Sequence, residues 1–299
     1  MGPFAGEIAA LATAVCWSFT ALFFSFGGRR VGSDVVNRTR LLLALAWLAM
    51  LHTALYGRPW PEAVEPERWW WLGLSGVLGL VIGDAALFQA YVLVGPRLAM
   101  LMMSLVPIAS TAMAWLFLGQ TIGREQALGI ALTVGGVAWV VTERTGGPAH
   151  DTGPAFRKGI ALALVGALGQ SANLITARVG LAGDFPALSA SMLRILVAAV
   201  VLWLLSALRG DVGRVVSRWS DRSAMAAMVA GSVVGPFLGI WLSLVAIQRT
   251  QVGIASTLMA LPPVLLIPLG YLVHGERVTR RGVVGTMVAI TGVAVIFLA

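Results

Sequence analysis

The sequence predicts an all-α integral membrane protein with ten transmembrane helices, arranged as two inverted five-helix repeats. Of its 299 residues, 58% are hydrophobic and only 11% are charged, whereas about 25% of the residues in an ordinary soluble domain are charged. Ten apolar segments each approach the roughly 20 residues that one membrane-spanning helix needs. The two halves of the chain also match each other when one is shifted by 156 positions. A water-soluble globule is excluded, because no single core hides so many apolar side chains.

The ten predicted spans are uniformly apolar, which favours helices over the alternating pattern of a membrane β-barrel. In order, they cover Phe4–Phe26, Arg40–Tyr56, Trp69–Val94, Leu98–Leu118, Glu125–Thr142, Gly159–Val179, Ala187–Leu208, Ser223–Ile247, Val252–Val273 and Gly282–Ala299. Clusters of glycine and proline separate several of them, as at 57–61, 95–97 and 146–148. No basic segment precedes the first span, so we expect it to be retained rather than cleaved as a signal peptide. The short connections leave no room for a soluble catalytic or receptor domain.

An internal duplication is the most informative feature of the sequence. Residues 99–143 align without a gap to residues 255–299, and 11 of the 45 positions are identical. The identical pairs include Met103/Met259, Pro107/Pro263, Gly119/Gly275, Gly129/Gly285 and Gly136/Gly292. A shift of 154 pairs Arg40 with Arg194. The predicted boundaries are a first repeat over 1–145, a linker over 146–158 and a second repeat over 159–299.

Five spans in each repeat is an odd number, so the second repeat must enter the membrane in the opposite sense from the first. Inverted repeats of this kind recur in secondary transporters, which hold their substrate near the bilayer midplane between the two halves. The same proteins expose that site to each side in turn by moving one half against the other. Transport is therefore the leading prediction, and no enzymatic activity is expected.

Several short motifs carry a resemblance to a known family. They are the first-span Cys16-Trp17-Ser18, the run 95–107, the run 115–120, the run 250–255 with Pro262-Pro263, and His274-Gly-Glu-Arg277. Together with the single arginine in the second and seventh spans, they are similar to EamA-type transporters of the drug/metabolite transporter superfamily. The resemblance implies a multi-pass plasma-membrane carrier that moves small metabolites, often amino acids, without a cofactor. It also implies a central cavity lined by the first, third and fourth spans and their counterparts.

Asp84 is the only carboxylate in the interior of a predicted span, near the centre of the third. A charge at that depth costs about 3 kcal/mol or more unless it is paired or hydrated. Two interpretations stay open: Asp84 binds a substrate amine or a coupling proton, or it forms a structural ion pair with an arginine. Tyr91 lies seven residues later on the same helix face and is a further candidate for the cavity wall. The essential first-helix glutamate of the related small multidrug-resistance proteins is absent here, so any coupling to protons falls to Asp84.

Arg40 and Arg194 are equivalent in the two repeats, and each lies at or near the start of an otherwise apolar span. One interpretation is that both side chains extend to the lipid headgroups. The alternative is that they bind a substrate carboxylate or pair with Asp84.

Other polar, aromatic and sulfur-containing residues are candidates for the wall of the substrate cavity. Gln170 and Asn173 lie one turn apart in the sixth span and face the same way, although hydrogen bonding between helices is an equally simple role. The remaining candidates are Trp17, Ser18, Met103, Trp241 and Met259. Pro107 and Pro263 occupy equivalent positions in the two repeats, where missing backbone hydrogen bonds predict kinks. Such kinks suit hinges, with static curvature as the alternative.

The charge of the chain bears on orientation and partners. The net charge of +8 comes from basic residues scattered in short loops, which is typical of membrane topology and not of nucleic-acid binding. The odd-numbered loops hold 14 Lys and Arg against 5 in the even-numbered loops when Arg178, at the end of the sixth span, is counted with the loop that follows it, so the positive-inside rule predicts both termini outside. The family resemblance implies cytoplasmic termini, and orientation stays open. No metal-ligand spacing occurs among the three histidines and one cysteine. We expect a monomer or a weak homodimer.

The predicted function is the transport of small metabolites, with hydrophobic or amphipathic amino acids favoured by an interior that has few polar groups. A lipid flippase or a channel on the same fold is the alternative. An intramembrane lipid-modifying enzyme fits less well, since the spans lack a zinc-binding His-Glu-x-x-His motif, a Ser/His/Asp set and a second intramembrane aspartate.

Overall fold

The computed structural model describes residues 4–143, 153–265 and 280–298, and within these ranges it is helical with no strand. The helices are α1 (Ala5–Val31), α2 (Ser33–Tyr56), α3 (Pro66–Gly76), α4 (Asp84–Met103), α5 (Val106–Leu118), α6 (Arg124–Glu143), α7 (Pro154–Gly180), α8 (Ala187–Leu208), α9 (Val212–Ser217), α10 (Arg222–Ser232), α11 (Ile240–Arg249), α12 (Val252–Met259) and α13 (Arg280–Leu298). Two π-helical segments, Val77–Gly83 and Val233–Gly239, join α3 to α4 and α10 to α11.

Among the described residues, seven helices are long and apolar enough to cross a membrane. They are Ala5–Val31, Ser33–Tyr56, Pro66–Leu87, Pro154–Gly180, Ala187–Leu208, Arg222–Arg249 and Arg280–Leu298. Val106–Leu118 and Val252–Leu265 are shorter apolar helices. The all-helical, multi-pass membrane class is confirmed. The linker residues 146–152, the end of the predicted ninth span and the motif at 274–277 lie outside the described residues.

The second helix begins earlier than predicted, at Ser33 instead of Arg40. The added turns carry polar side chains that the hydropathy pattern reads as a loop, but these side chains have partners on other helices. Asp34 and Arg38 form ion pairs with Arg214 and Asp211, respectively. Because the polar groups are satisfied, the helix extends, and Arg40 lies two turns inside it.

The border between the predicted third and fourth spans also moves. The prediction ended the third span at Val94, before Gly95-Pro96, but α4 continues through this dipeptide to Met103. The break falls at 104–105, directly before α5. Proline is tolerated inside membrane helices when neighbouring groups satisfy the freed carbonyl, whereas Pro107 lies in the first turn of α5, where no backbone donor is needed.

Both prolines predicted as hinges occupy the same local structure. Pro107 is the second residue of a helix that follows a two-residue break. Pro263 likewise is the second residue of the helical turn 262–265, after the break at 260–261. Each proline therefore marks a joint between two helices and not a bend within one.

Helix boundaries in the two halves coincide at the shift found in the sequence. The two π-helical segments begin 156 residues apart, at Val77 and Val233, and both contain seven residues. The same shift relates the start of α3 to that of α10, at Pro66 and Arg222. A π-helix is rare and costly, so its occurrence at equivalent positions reflects a duplicated local structure.

Equivalent helices from the two halves run antiparallel to each other. Late in α2, His52 Nε2 lies 3.2 Å from Ser189 Oγ at the start of α8. Early in α2, Arg38 donates to Asp211, which follows the end of α8, at 3.4 Å. In the pair α6 and α13, Gly129 lies against Ile296, and Gly136 lies against Ala289. The ring centroids of Phe4 and Phe297 are 5.4 Å apart, which places both ends of the described chain at the same end of the helix bundle.

Glycines let the α3 helix and its π-helical extension approach α7 and α8 closely. A Cβ atom added at Gly79 would lie 2.7 Å from Asn173 Cγ, and one added at Gly83 would lie 3.2 Å from Gln170 Nε2. Gly76 lies directly against the carbonyl oxygen of Arg194. These three glycines therefore let the backbone of the first half lie close to the backbone of α8 and to the amide side chains of α7.

Candidate functional site

The most notable polar feature of this apolar protein is a connected group of five side chains, here called the polar cluster. It consists of Arg40, Asp84, Gln170, Asn173 and Arg194. Two members come from the first half of the chain, on α2 and α4, and three come from the second half, on α7 and α8. Arg194 is 2% exposed, Arg40 8% and Asp84 9%. The polar cluster thus joins the two halves within the protein interior.

Asp84 is the central acceptor of the polar cluster. It is the first residue after the π-helical segment Val77–Gly83. Its Oδ2 atom pairs with the guanidinium of Arg40. Its Oδ1 atom accepts a hydrogen bond of 2.9 Å from Nε2 of Gln170. Both carboxylate oxygens are occupied, which is the condition under which a buried charge is tolerated.

Gln170 and Asn173 extend the polar cluster along α7. Gln170 Nε2 also donates to the backbone carbonyl of Gly79 at 3.2 Å. Asn173 Nδ2 donates to Gln170 Oε1 at 3.2 Å. On its other side, Asn173 Oδ1 accepts from the guanidinium of Arg194. The one-turn spacing of the two amides aligns them on one face of α7, between the two arginines.

The two arginines approach the interior from opposite ends. Each is the eighth residue of its helix, in α2 and α8, and thus about 10 Å from the helix start at 1.5 Å per residue. Because α2 and α8 run antiparallel, Arg40 and Arg194 are attached to the two helices on opposite sides of the middle of the described bundle. The polar cluster extends across the middle between them. Neither side chain extends toward the lipid headgroups, because both guanidinium groups are bonded to inward-facing partners.

The polar cluster has an unbalanced charge. It contains two guanidinium groups and one carboxylate. Arg194 donates to the neutral amide of Asn173, and its Nε atom is buried with no hydrogen-bond partner among the described residues. Asp84 attracts Arg194 electrostatically, but the oxygens of Asp84 are bonded to Arg40 and Gln170. Arg40 is further stabilised by Asn37 Oδ1 at 2.9 Å and by the ring of Phe24.

The other residues predicted for the cavity wall lie around the bundle and do not join the polar cluster. Trp17 is partly buried, and its indole lies against the backbone of Gly239. The Ser18 hydroxyl donates to Ala14 of its own helix at 2.8 Å. Trp241 stacks on Phe237, with 6.5 Å between ring centroids. Met259 is buried and Met103 is half-buried. The side chain of Tyr91 lies outside the described part of the structure.

A second charged group was missed by the sequence analysis; we call it the ionic belt. It consists of three ion pairs between the halves: Arg30–Asp221, Arg38–Asp211 and Arg214–Asp34. The sequence signal is a set of aspartates in loops that are otherwise basic. In the ionic belt, Asp221 also accepts from the backbone of Ala224 at the start of α10. This hydrogen bond and the Arg30 guanidinium hold the pKa of Asp221 below its ordinary value.

Two surface cavities lie at opposite ends of the bundle. One, of about 640 Å³, adjoins the ionic belt and is lined by Arg30, Arg218 and Arg222, among others. The other, of about 410 Å³, lies near Phe4 and Phe297 and includes Glu7 and Arg249. In the ranges 4–143, 153–265 and 280–298, no three His, Cys, Asp or Glu side chains come together as a metal site would require.

Comparison with known proteins decides the family. The model of the EamA-like transporter family matches residues 4–142 and again residues 157–298. The chain belongs to the EamA-like transporter family. The two matches confirm the two tandem EamA units predicted from the duplication. Membership in this transporter family places the chain among multi-pass membrane transporters.

A solved structure supports the fold of this EamA-like chain. A protein whose title reads only "Crystal structure of protein" superposes with a TM-score of 0.82 at 19% sequence identity. The superposition covers 99% of this chain and 98% of that one. At this identity the likeness concerns the fold alone. The comparison with curated proteins finds no match.

Proposed function

We propose that this EamA-like protein is a secondary transporter that moves small amphipathic metabolites, with hydrophobic amino acids as its main class, across the cell membrane. The observation that carries the proposal is the polar cluster, which joins both halves at mid-depth in an otherwise apolar bundle. Intramembrane ionisable groups are expensive and are retained for function. We assign Asp84 and Arg40 to substrate binding or proton coupling, with Gln170 and Asn173 beside them.

The proposed mechanism is alternating access between two inverted halves, formed by ten spans with repeats over 1–145 and 159–299. The antiparallel pairs α2/α8 and α6/α13 support it, because equivalent helices of inverted repeats must run in opposite directions. The joints at Pro107 and Pro263 support hinge motion, since each lies between two separate helices. The ionic belt would have to open when the site faces its side of the membrane.

The proposed substrate class follows from the surroundings of the polar cluster. Most buried polar side chains outside the polar cluster are serines and threonines, several of which donate to carbonyl groups of their own helices. Trp17 and the stacked pair Phe237 and Trp241 offer aromatic surface. A solute with one apolar part and one or two charged groups matches these surroundings better than a sugar, which needs many hydrogen bonds. We propose no catalytic activity and no cofactor.

Transport by purified protein in proteoliposomes tests the proposal. The probes are labelled amino acids, sugars and cationic drugs, measured with and without a pH gradient. We expect uptake of hydrophobic amino acids, and we expect Asp84→Asn to abolish its dependence on the gradient or the uptake itself. The matched control is Asp184→Asn, which changes an exposed aspartate in the loop after α7. Failure of every probe to move would contradict the transporter proposal, and unchanged transport by Asp84→Asn would remove Asp84 from the mechanism.

A further inference from the structure

We infer that the transported solute carries a carboxylate or an equivalent monoanionic group, and that Arg194 binds it. This inference rests on the proposed transport function and specifies which charge the substrate brings to the polar cluster.

The first argument is the charge of the polar cluster. Arg194 is fully charged at any physiological pH, yet it is 2% exposed and its bonded partner is a neutral amide. Asp84 attracts Arg194, but the oxygens of Asp84 are bonded to Arg40 and Gln170. A buried cation that must share its counter-ion is costly, more so in a membrane protein than in a soluble one. Its Nε atom has no partner in the parts of the chain that the structure describes. The Nε–H group of Arg194 is therefore a buried donor that an anionic acceptor would satisfy.

The second argument is the broken symmetry between the halves. In the first half, Arg40 pairs with Asp84, the residue that follows the π-helical segment. In the second half, the residue that follows the equivalent segment is Ile240. Arg194 is the counterpart of Arg40, so the carboxylate that would correspond to Asp84 is replaced by an alkyl side chain. One arginine is therefore directly paired with an anion of the chain, and the other has no directly bonded anion among the described residues.

The position of Ile240 fits this interpretation. Ile240 is 6% exposed and belongs to the buried apolar cluster that also contains Met192 and Ile195, the near neighbours of Arg194 along α8. Phe237 and Trp241 pack against the same apolar cluster. A solute that places its carboxylate on Arg194 would find aliphatic and aromatic side chains on α8 and α11 for its apolar part.

The chemistry of guanidinium selects a carboxylate. Its Nε–H and a neighbouring Nη–H form a planar fork that binds the two oxygens of a carboxylate in parallel. A substrate anion at Arg194 would raise the number of negative charges in the polar cluster to two, equal to the number of guanidinium groups. Arg40 and Asp84 could then stay paired. A zwitterionic amino acid brings an ammonium together with this carboxylate, whereas a cationic amine without an acid group would add a positive charge and no negative one.

The test uses four probes that share one apolar part: L-phenylalanine, 3-phenylpropionate, L-phenylalaninamide and 2-phenylethylamine. Proteoliposome uptake and thermal shift of the purified full chain are measured for each. We expect the two acids to bind and move, and the amide and the amine to do so at least tenfold less well. Equal uptake of the amine or the amide would overturn the carboxylate inference while leaving the transporter proposal intact. If none of the four moves, the inference falls, and the broader uptake panel decides whether the transporter proposal falls with it.

Two variants assign the binding to Arg194. Arg194→Gln removes the cation, and we expect acid affinity to fall at least tenfold; Arg58→Gln, at an exposed site paired with Glu62, is the control. Because Arg194→Gln can destabilise the fold, Ile240→Asp provides a second test. It supplies the missing carboxylate within the chain, so we expect higher thermal stability and loss of acid binding. Ile240→Asn is its neutral control. Wild-type acid affinity in Ile240→Asp would overturn the assignment.

Discussion

Arg40 and Asp84 depend on each other more than on any other contact described for them. Both are buried, and removing one partner leaves the other as an uncompensated charge in an apolar interior. Arg194 differs, because its direct partner is neutral. At the residue scale, the polar cluster therefore contains one satisfied ion pair and one cation with spare binding capacity.

The ion pair predicts non-additive effects on stability. We expect Arg40→Gln to lower the free energy of unfolding by about 1–3 kcal/mol, because Asp84 then loses its bonded cation and keeps the hydrogen bond from Gln170 and the electrostatic attraction of Arg194. The double variant Arg40→Gln, Asp84→Asn should lose less than the sum of the two single variants. Thermal unfolding in detergent measures both. Arg58→Gln, at the exposed pair with Glu62, serves as the comparison and should cost about 1 kcal/mol or less; additive losses at Arg40 and Asp84 would argue against the pair.

The ionic belt predicts a pH-dependent contribution from Asp221. The pKa of Asp221 is lowered in the folded protein by the Ala224 amide and by Arg30, so ionisation of this carboxyl stabilises the fold. That contribution is present above about pH 4, the ordinary value for aspartate, and is lost as pH falls through the lower folded value. We expect Asp221→Ala to lower Tm at pH 7, with a difference from wild type that shrinks at pH 3. A constant difference across this range would refute the charge effect.

At the element scale, the close approach of the π-helical segment Val77–Gly83 to α7 depends on glycine. A methyl group at Gly79 would lie 2.7 Å from Asn173 Cγ, so the Asn173 side chain or one of the two helical segments must move. We expect Gly79→Ala to cost about 1–3 kcal/mol and to reduce transport by displacing Asn173 and Gln170. The matched control is Gly135→Ala in α6, where an added Cβ meets nothing within 4 Å. There, alanine should be neutral or stabilising because it is the better helix former. Equal Tm values for the two variants would contradict close packing at Gly79.

The elements also show which features the sequence could predict. The duplication located equivalent helices and equivalent prolines, because repeats preserve the glycines and prolines that fix the backbone. The start of α2 was missed, since Asp34 and Arg38 are polar in sequence but satisfied by partners about 175 residues away. The continuation of α4 through Gly95-Pro96 was missed because this dipeptide is a local helix breaker that membrane helices can tolerate. The polar cluster's members were all candidates, but the contacts that link them in the order Arg40, Asp84, Gln170, Asn173 and Arg194 are a property of the fold.

At the scale of the whole molecule, the proposed alternating-access mechanism requires the ionic belt to separate, because the belt ties α1 and α2 of the first half to the segments around α9 and α10 of the second. We expect a cross-link between Asp34→Cys and Arg214→Cys, in a Cys16→Ser background, to stop uptake. Cleavage of a reducible linker should restore it. Arg58→Cys with Glu62→Cys, four residues apart in one loop region, should leave uptake unchanged when linked. Full uptake by the cross-linked belt would rule out opening at this end.

The two π-helical segments have a mechanical consequence. A π-helix bonds residue i to residue i+5, so each segment stores extra chain relative to an α-helix of the same length. If the i→i+5 hydrogen bonds of a segment changed to the i→i+4 pattern of an α-helix, the helix after it would shift by one residue. That helix would then turn by about 100° about its own axis and advance by about 1.5 Å. Asp84 and Ile240 are the first residues beyond the two boundaries. Such a transfer would therefore change the direction in which Asp84 or Ile240 projects relative to the arginines, so the two π-helical segments offer a rotation about the helix axis in addition to the joints at the prolines.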